Sequence, residues 1–208
     1  KANHDTIKKH IDRFSLYSGT GFTLDNFRNK FLKKVMQSSL MPKARKNFRP
    51  VICSLFSYLM MYEARVSDLK LRALQNGSIE PFLSHLFLGC LTFESLMKMK
   101  YSTKGTKNTL GNFINTAIQK GDLGIKNKIY KNARRNVEYA FKEILDKLNS
   151  LERKGNFAEV SIGITYLLRN TTGHSLSWPD KLDENIYKRL FDHVCNAIFW
   201  FISEKYLH

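Results

Sequence analysis

The sequence predicts an all-α protein, an irregular helical bundle, and three observations carry that expectation. Apolar residues recur at spacings of three and four through nearly every ordered stretch, the pattern of a helix with one buried face. Gly, Pro and Asn clusters interrupt those stretches where inter-helix turns would fall. No alternating run of β-branched residues bounded by hairpin turns occurs in the 208 residues.

The first expected helix covers Leu24 to Met36, where Leu24, Phe27, Phe31, Leu32 and Val35 line one side and basic residues the other. After Pro42 a long run continues through Leu55, Leu59, Tyr62, Val66, Leu69 and Leu74 and stops at Asn76-Gly77. Within it, Ile52 to Met61 is too short to span a bilayer and reads as a buried helical stretch. Ser78 to Tyr101 forms the next helix, with Pro81 tolerated in its first turn. Lys100 to Asn108 is a basic loop without acid, a candidate substrate strap or a plain linker. Thr109 to Lys120 is a short helix ended by Gly121-Asp122-Leu123-Gly124. Asn127 to Leu151 follows, with Ile129, Ala133, Val137, Phe141, Ile144 and Leu148 on one side. Asn156 and Glu159 form a capping pair for the apolar run Val160 to Leu168. Ser177-Trp178-Pro179-Asp180 breaks the chain before a last helix, about Asp183 to Tyr206.

Charge narrows the function classes. The chain carries 34 Lys+Arg against 18 Asp+Glu, a formal net charge of +16, which attracts polyanions and is the footprint of a nucleic-acid binder. From Asn26 to Tyr62 there is no acidic residue, while Lys33, Lys34, Lys43, Arg45, Lys46 and Arg49 fall there together with Arg28 and Lys30. These are the expected RNA-binding residues, since a merely solvated face usually mixes signs. Cys53, Cys90 and Cys195 are far apart in apolar helical stretches, the pattern of buried free thiols in a reducing compartment, and no metal site or cofactor is expected. Gly19 to Gly21 lacks a phosphate-loop lysine. The first residue is Lys1 and nothing near it resembles a signal peptide, so a segment of a longer, cytoplasmic protein with no membrane span is expected.

The most informative stretch is Arg169-Asn170-Thr171-Thr172-Gly173-His174. The preceding helix is expected to stop at Gly173, which suits a left-handed cap. Arg169 and His174 would then emerge together at a loop, where substitution costs the fold little. This stretch resembles the Arg-x4–6-His motif of the HEPN superfamily, small all-helical domains of which many are metal-independent ribonucleases. The likeness covers the motif, the polar Asn170 after the arginine and the final helix. It extends to His85 through Lys98, followed by Thr109-Leu110-Gly111. The expected organisation is therefore a HEPN-like domain over 78–208, preceded by a basic helical extension, 1–77, of unknown role.

The resemblance implies an endoribonuclease cutting single-stranded RNA through 2′-OH attack, acting as a toxin or antiviral effector. Arg169 would position phosphate, because its planar fork stays charged. His174 would move protons, because its ordinary pKa lies near neutrality. Asn170 would orient substrate, and Glu94 would pair with Arg169 or tune His174. HEPN nucleases typically dimerise, and the last helix is apolar on more than one side, so a homodimer through Phe199 and Phe201 is expected. An inhibitor or regulatory domain would lie outside the segment. The alternative is a non-catalytic module of the same kind, binding nucleic acid or a partner protein. Thr171, Thr172 and Ser175 are candidate phosphate donors, and Trp178 and Tyr187 candidate base-stacking rings. His85 and His193 read as packed histidines.

Overall fold

The structure, a computed structural model, describes residues 2–33, 35, 42–75, 78–102, 109–123, 157–174 and 182–207. Among these residues there are seven helices and no strand: α1 (Ala2–Ser18), α2 (Asn26–Leu32), α3 (Pro42–Gln75), α4 (Glu80–Tyr101), α5 (Leu110–Gln119), α6 (Phe157–His174) and α7 (Glu184–Tyr206). The helix expected over 127–151 lies outside the described residues. No helix among those described is long and apolar enough to cross a membrane.

Local chemistry explains several boundaries. Asp183 accepts the N–H of Ile186 at 2.7 Å and so starts α7. Thr109 opens α5 in the same way, through the N–H of Asn112. Gly121, at φ +70°, closes α5: its N–H reaches Ile118 and that of Asp122 reaches Ala117, which satisfies two terminal carbonyls. α2 is wound as a π-helix, with the N–H of Lys33 donating to Arg28 five residues back. It buries Phe27 and Phe31 and leaves Arg28, Lys30 and Lys33 exposed. α1 is an addition to the expectations, which begin at Leu24. Its signal was Ile7, Ile11 and Phe14 at helical spacing in an otherwise charged stretch; Ile11 and Phe14 are buried.

α7 is the central helix of the bundle, packed by α6, α4, α1 and α3. This corrects the expected dimer seam. Phe199 and Phe201 are 0% exposed within a single chain, so the apolar sides of α7 are satisfied by burial. Phe14, Phe22 and Phe27 converge on Phe199 with ring centroids 5.7, 5.9 and 6.1 Å away. Their residues lie before position 77, so the division expected there does not separate two cores: one continuous apolar cluster includes both parts.

Close helix approach is visible at Gly89 of α4. A Cβ there would lie 2.5 Å from the Tyr58 ring of α3 and 2.7 Å from Val194 of α7. Cys90 and Cys195 are buried free thiols as expected, but Cys53 is exposed on the outer side of α3. Apolar context along a sequence does not fix which side of a helix a small residue occupies.

Candidate functional site

Arg169 lies in the last turns of α6, and the helix runs through Gly173 to His174. The left-handed stop expected at Gly173 does not occur. Continued winding matters for the motif, because five residues along a helix of about 3.6 residues per turn place position 174 about 140° round the axis from position 169. The backbone of one chain therefore does not present the two positions side by side. The side chain of His174 lies outside the described residues. Asn170 is half-buried beside Arg169.

Arg169 is engaged from α4. Its Nε donates to Glu94 Oε2 at 2.5 Å, and its guanidinium lies over the Phe87 ring, 5.1 Å from the centroid, a cation–π contact. The other oxygen, Glu94 Oε1, accepts the backbone N–H of Leu110 at 3.1 Å, at the start of α5. One carboxylate thus links α6, α4 and α5, and sits where the positive end of a helix favours an anion. The pairing expected between Glu94 and Arg169 is present. The side chains are 14% and 27% exposed respectively, so the arginine is partly sheltered and not a mobile surface cation. Its Nη nitrogens carry four further N–H donors, the edge that meets two phosphate oxygens in a bidentate contact.

One turn before Glu94, Cys90 is fully buried. Burial pushes its thiol well up, against the pull of Arg169, so it stays protonated and is no nucleophile.

Several expected contributors are placed elsewhere. Thr172 is buried, and its hydroxyl donates back to the Leu168 carbonyl, so it does not face a ligand. Tyr187 is fully buried against the candidate stacking role; its hydroxyl meets His85 Nδ1 at 2.6 Å. His85 Nε2 donates to the Tyr58 carbonyl at 2.8 Å, and in the neutral ring that leaves Nδ1 to accept from the Tyr187 hydroxyl. Burial holds its pKa down to about 4. Among the expected RNA contacts, Lys33 and Arg49 are exposed. Lys34 and the side chains of Lys43, Arg45 and Lys46 lie outside the described residues, as do Ser175 and Trp178.

A second constellation escaped the sequence reading. Arg189, Asp192, His193 and Asn196 of α7 line a cavity of about 320 Å³. The signal was present as polar residues at i, i+3, i+4 and i+7 among the apolar residues of that helix, which is one face. Among the described residues, no group of three or more His, Cys, Asp or Glu side chains is arranged to hold a metal ion. Comparison of the chain with protein-family models, with curated proteins and with solved structures finds no match.

Proposed function

We propose that the chain is a metal-independent endoribonuclease acting on single-stranded RNA, with Arg169 as the phosphate-positioning group and His174 as the proton-transfer group. The observation that carries the reading is Arg169 itself: an arginine oriented by a partly buried carboxylate, directly followed by Asn170, on a chain of net charge +16. A fork held in place loses less entropy on engaging a phosphate than a mobile lysine would. In the reaction the 2′-oxygen loses a proton and attacks the adjacent phosphorus, the P–O5′ bond breaks, and the 5′-oxygen gains a proton. The products are a 2′,3′-cyclic phosphate and a 5′-hydroxyl. The helical divergence of positions 169 and 174 favours a site completed by a second copy, with arginine and histidine from different chains. Such a homodimer would use a surface other than Phe199 and Phe201. A toxin or antiviral effector restrained by a regulatory domain outside this segment fits that activity.

Purified protein with a chelator should cleave single-stranded RNA to cyclic-phosphate ends and leave DNA intact. Arg169→Lys and His174→Ala should each abolish cleavage while the far-ultraviolet circular dichroism stays helical. Cleavage retained by both variants, or dependent on added metal, would remove these residues from the chemistry.

The Glu94 pairing also favours a second reading, in which Arg169 ties α6 to α4 and the chain is a non-catalytic module binding nucleic acid or a partner protein. That module would bind RNA without cutting it, and Arg169→Lys would leave affinity unchanged.

A further inference from the structure

Cations are matched at one end of the bundle and unmatched at the other. On α1, the second half of α3 and the start of α7, Lys8 meets Asp12, Lys9 meets Glu63, Arg65 meets Asp68, and Lys70 and Lys188 share Glu184. The opposite end is formed by α2, the first half of α3 and the last turns of α4, α5 and α7. There Lys30, Lys33, Arg49, Lys98, Lys100 and Lys120 are exposed, and none of them forms an ion pair among the described residues. Lysines at helix C-termini are ordinary, because each such end carries a negative partial charge of about 0.5, yet three such ends balance fewer than two lysines. Of the carboxylates nearby, Asp122 is taken by Lys205 at 3.6 Å, and Asp25 and Glu204 leave the cations in excess.

Aromatic contacts hold this end together. Phe31 of α2 and Phe48 of α3 pack against Tyr206 of α7, with ring centroids 5.4 and 5.8 Å away, and the Tyr206 hydroxyl donates to the Leu96 carbonyl of α4 at 2.9 Å. The Lys100 ammonium lies over the Tyr206 ring, 6.0 Å from its centroid, and the Lys120 ammonium over the Tyr101 ring at 5.8 Å. Such cation–π contacts orient an ammonium group without neutralising it.

The basic end is continuous with Arg169. Phe87, Glu94 and Lys98 fall at i, i+7 and i+11 on α4, which is one face of the helix. Arg169 sits on the first two of them, and Lys98 lies one turn beyond Glu94, about 6 Å along the axis. α5 runs beside α4 in the same sense, from the Leu110 N–H on Glu94 to Lys120 over Tyr101. We infer that a single strand of RNA with one phosphate on Arg169 continues along α4 and α5, with flanking phosphates on Lys98, Lys100 and Lys120. This path rests on the ribonuclease reading and gives its substrate a direction. Lysine meets phosphate as a point charge and phosphate contacts read no base, so the surface holds the strand irrespective of sequence.

A labelled single-stranded 2′-O-methyl RNA, which lacks the attacking hydroxyl and is not cut, separates binding from cleavage. Its fluorescence anisotropy with the whole chain is followed over a series of salt concentrations. The variant carrying Lys98→Gln, Lys100→Gln and Lys120→Gln should bind more weakly and lower the slope of log affinity against log salt by about 2, from about 0.7 for each lost phosphate contact. A control carrying Lys8→Gln, Lys9→Gln and Lys70→Gln removes the same charge from matched cations and should keep the slope of the wild type. Thermal melting of both variants shows that the fold is retained. Equal slopes in all three proteins overturn the inference, and so do equal losses in the two variants. Phosphatidylserine vesicles test the other polyanion: vesicle binding that the first variant loses, without oligonucleotide binding by the wild type, assigns the surface to a membrane and overturns the RNA path. The expected slope change in a protein that cuts no RNA would support the surface and refute the ribonuclease reading alone.

Discussion

Removing Arg169 should cost the fold more than a loop-facing arginine would. In Arg169→Ala the Glu94 carboxylate, 14% exposed, loses its cation while one oxygen remains bonded to the Leu110 N–H. Two unit charges about 4 Å apart attract by about 4 kcal/mol at an effective dielectric of about 20. Desolvation offsets part of that. Exposed pairs contribute at most about 1 kcal/mol, whereas stripping one partner from a fully buried pair costs about 3–5 kcal/mol. This pair lies between, so the expected loss is about 2 kcal/mol. Glu94→Gln keeps an oxygen for the Leu110 N–H and removes the charge, which should cost about 1–2 kcal/mol. Urea denaturation followed by circular dichroism measures both, together with the double variant. If the two residues act through one contact, the double variant costs little more than the larger single change, with a coupling of about 1 kcal/mol or more. Strictly additive losses would refute the pair as a stabilising element. On RNA, Glu94→Gln retains the arginine, so a catalytic Arg169 predicts reduced cleavage and not its loss.

Acid should destabilise the protein. His10 and His85 are buried, and burial pulls each pKa from an ordinary 6.5 to about 4. The unfolded chain then takes up protons first, so stability is lost as pH falls from 6.5 towards 4, by about 2.5 kcal/mol per histidine at pH ~4.5. Asp192 opposes this, because burial raises its pKa to about 6 and the folded state binds its proton more readily; urea midpoints between pH 7 and 4.5 should still fall. Phe199→Asp should unfold the chain rather than yield monomers, since an unpaired charge in the shared core costs several kcal/mol; a folded variant by circular dichroism would contradict the burial of Phe199. Charge reversal at Arg28, Lys30 and Lys33, all exposed, should weaken RNA binding and lower the log affinity against log salt slope by about 0.7 per lost phosphate contact. An unchanged slope would place the RNA path elsewhere.

The sequence alone determined the helical class, the turn at Gly121 and the outward basic face of α2, because each follows from chemistry within a few residues: apolar spacing, a left-handed glycine, like charges that cannot share a core. It also showed that the last helix is apolar on more than one side. It could not show what covers that helix, because burial inside one chain and burial between two chains require the same residues. Tertiary structure decided for burial by bringing Phe14 of α1, Phe27 of α2 and Phe22 between them onto Phe199. The same limit governs the candidate sites. Arg169 was legible as a cation near a helix end, yet its contact with Glu94 spans 75 residues of sequence, and the continuation of α6 past Gly173 follows from no local signal. The cavity on α7 needed α1 and α6 to close it, since a polar stripe on one helix becomes a site only when other elements supply its walls.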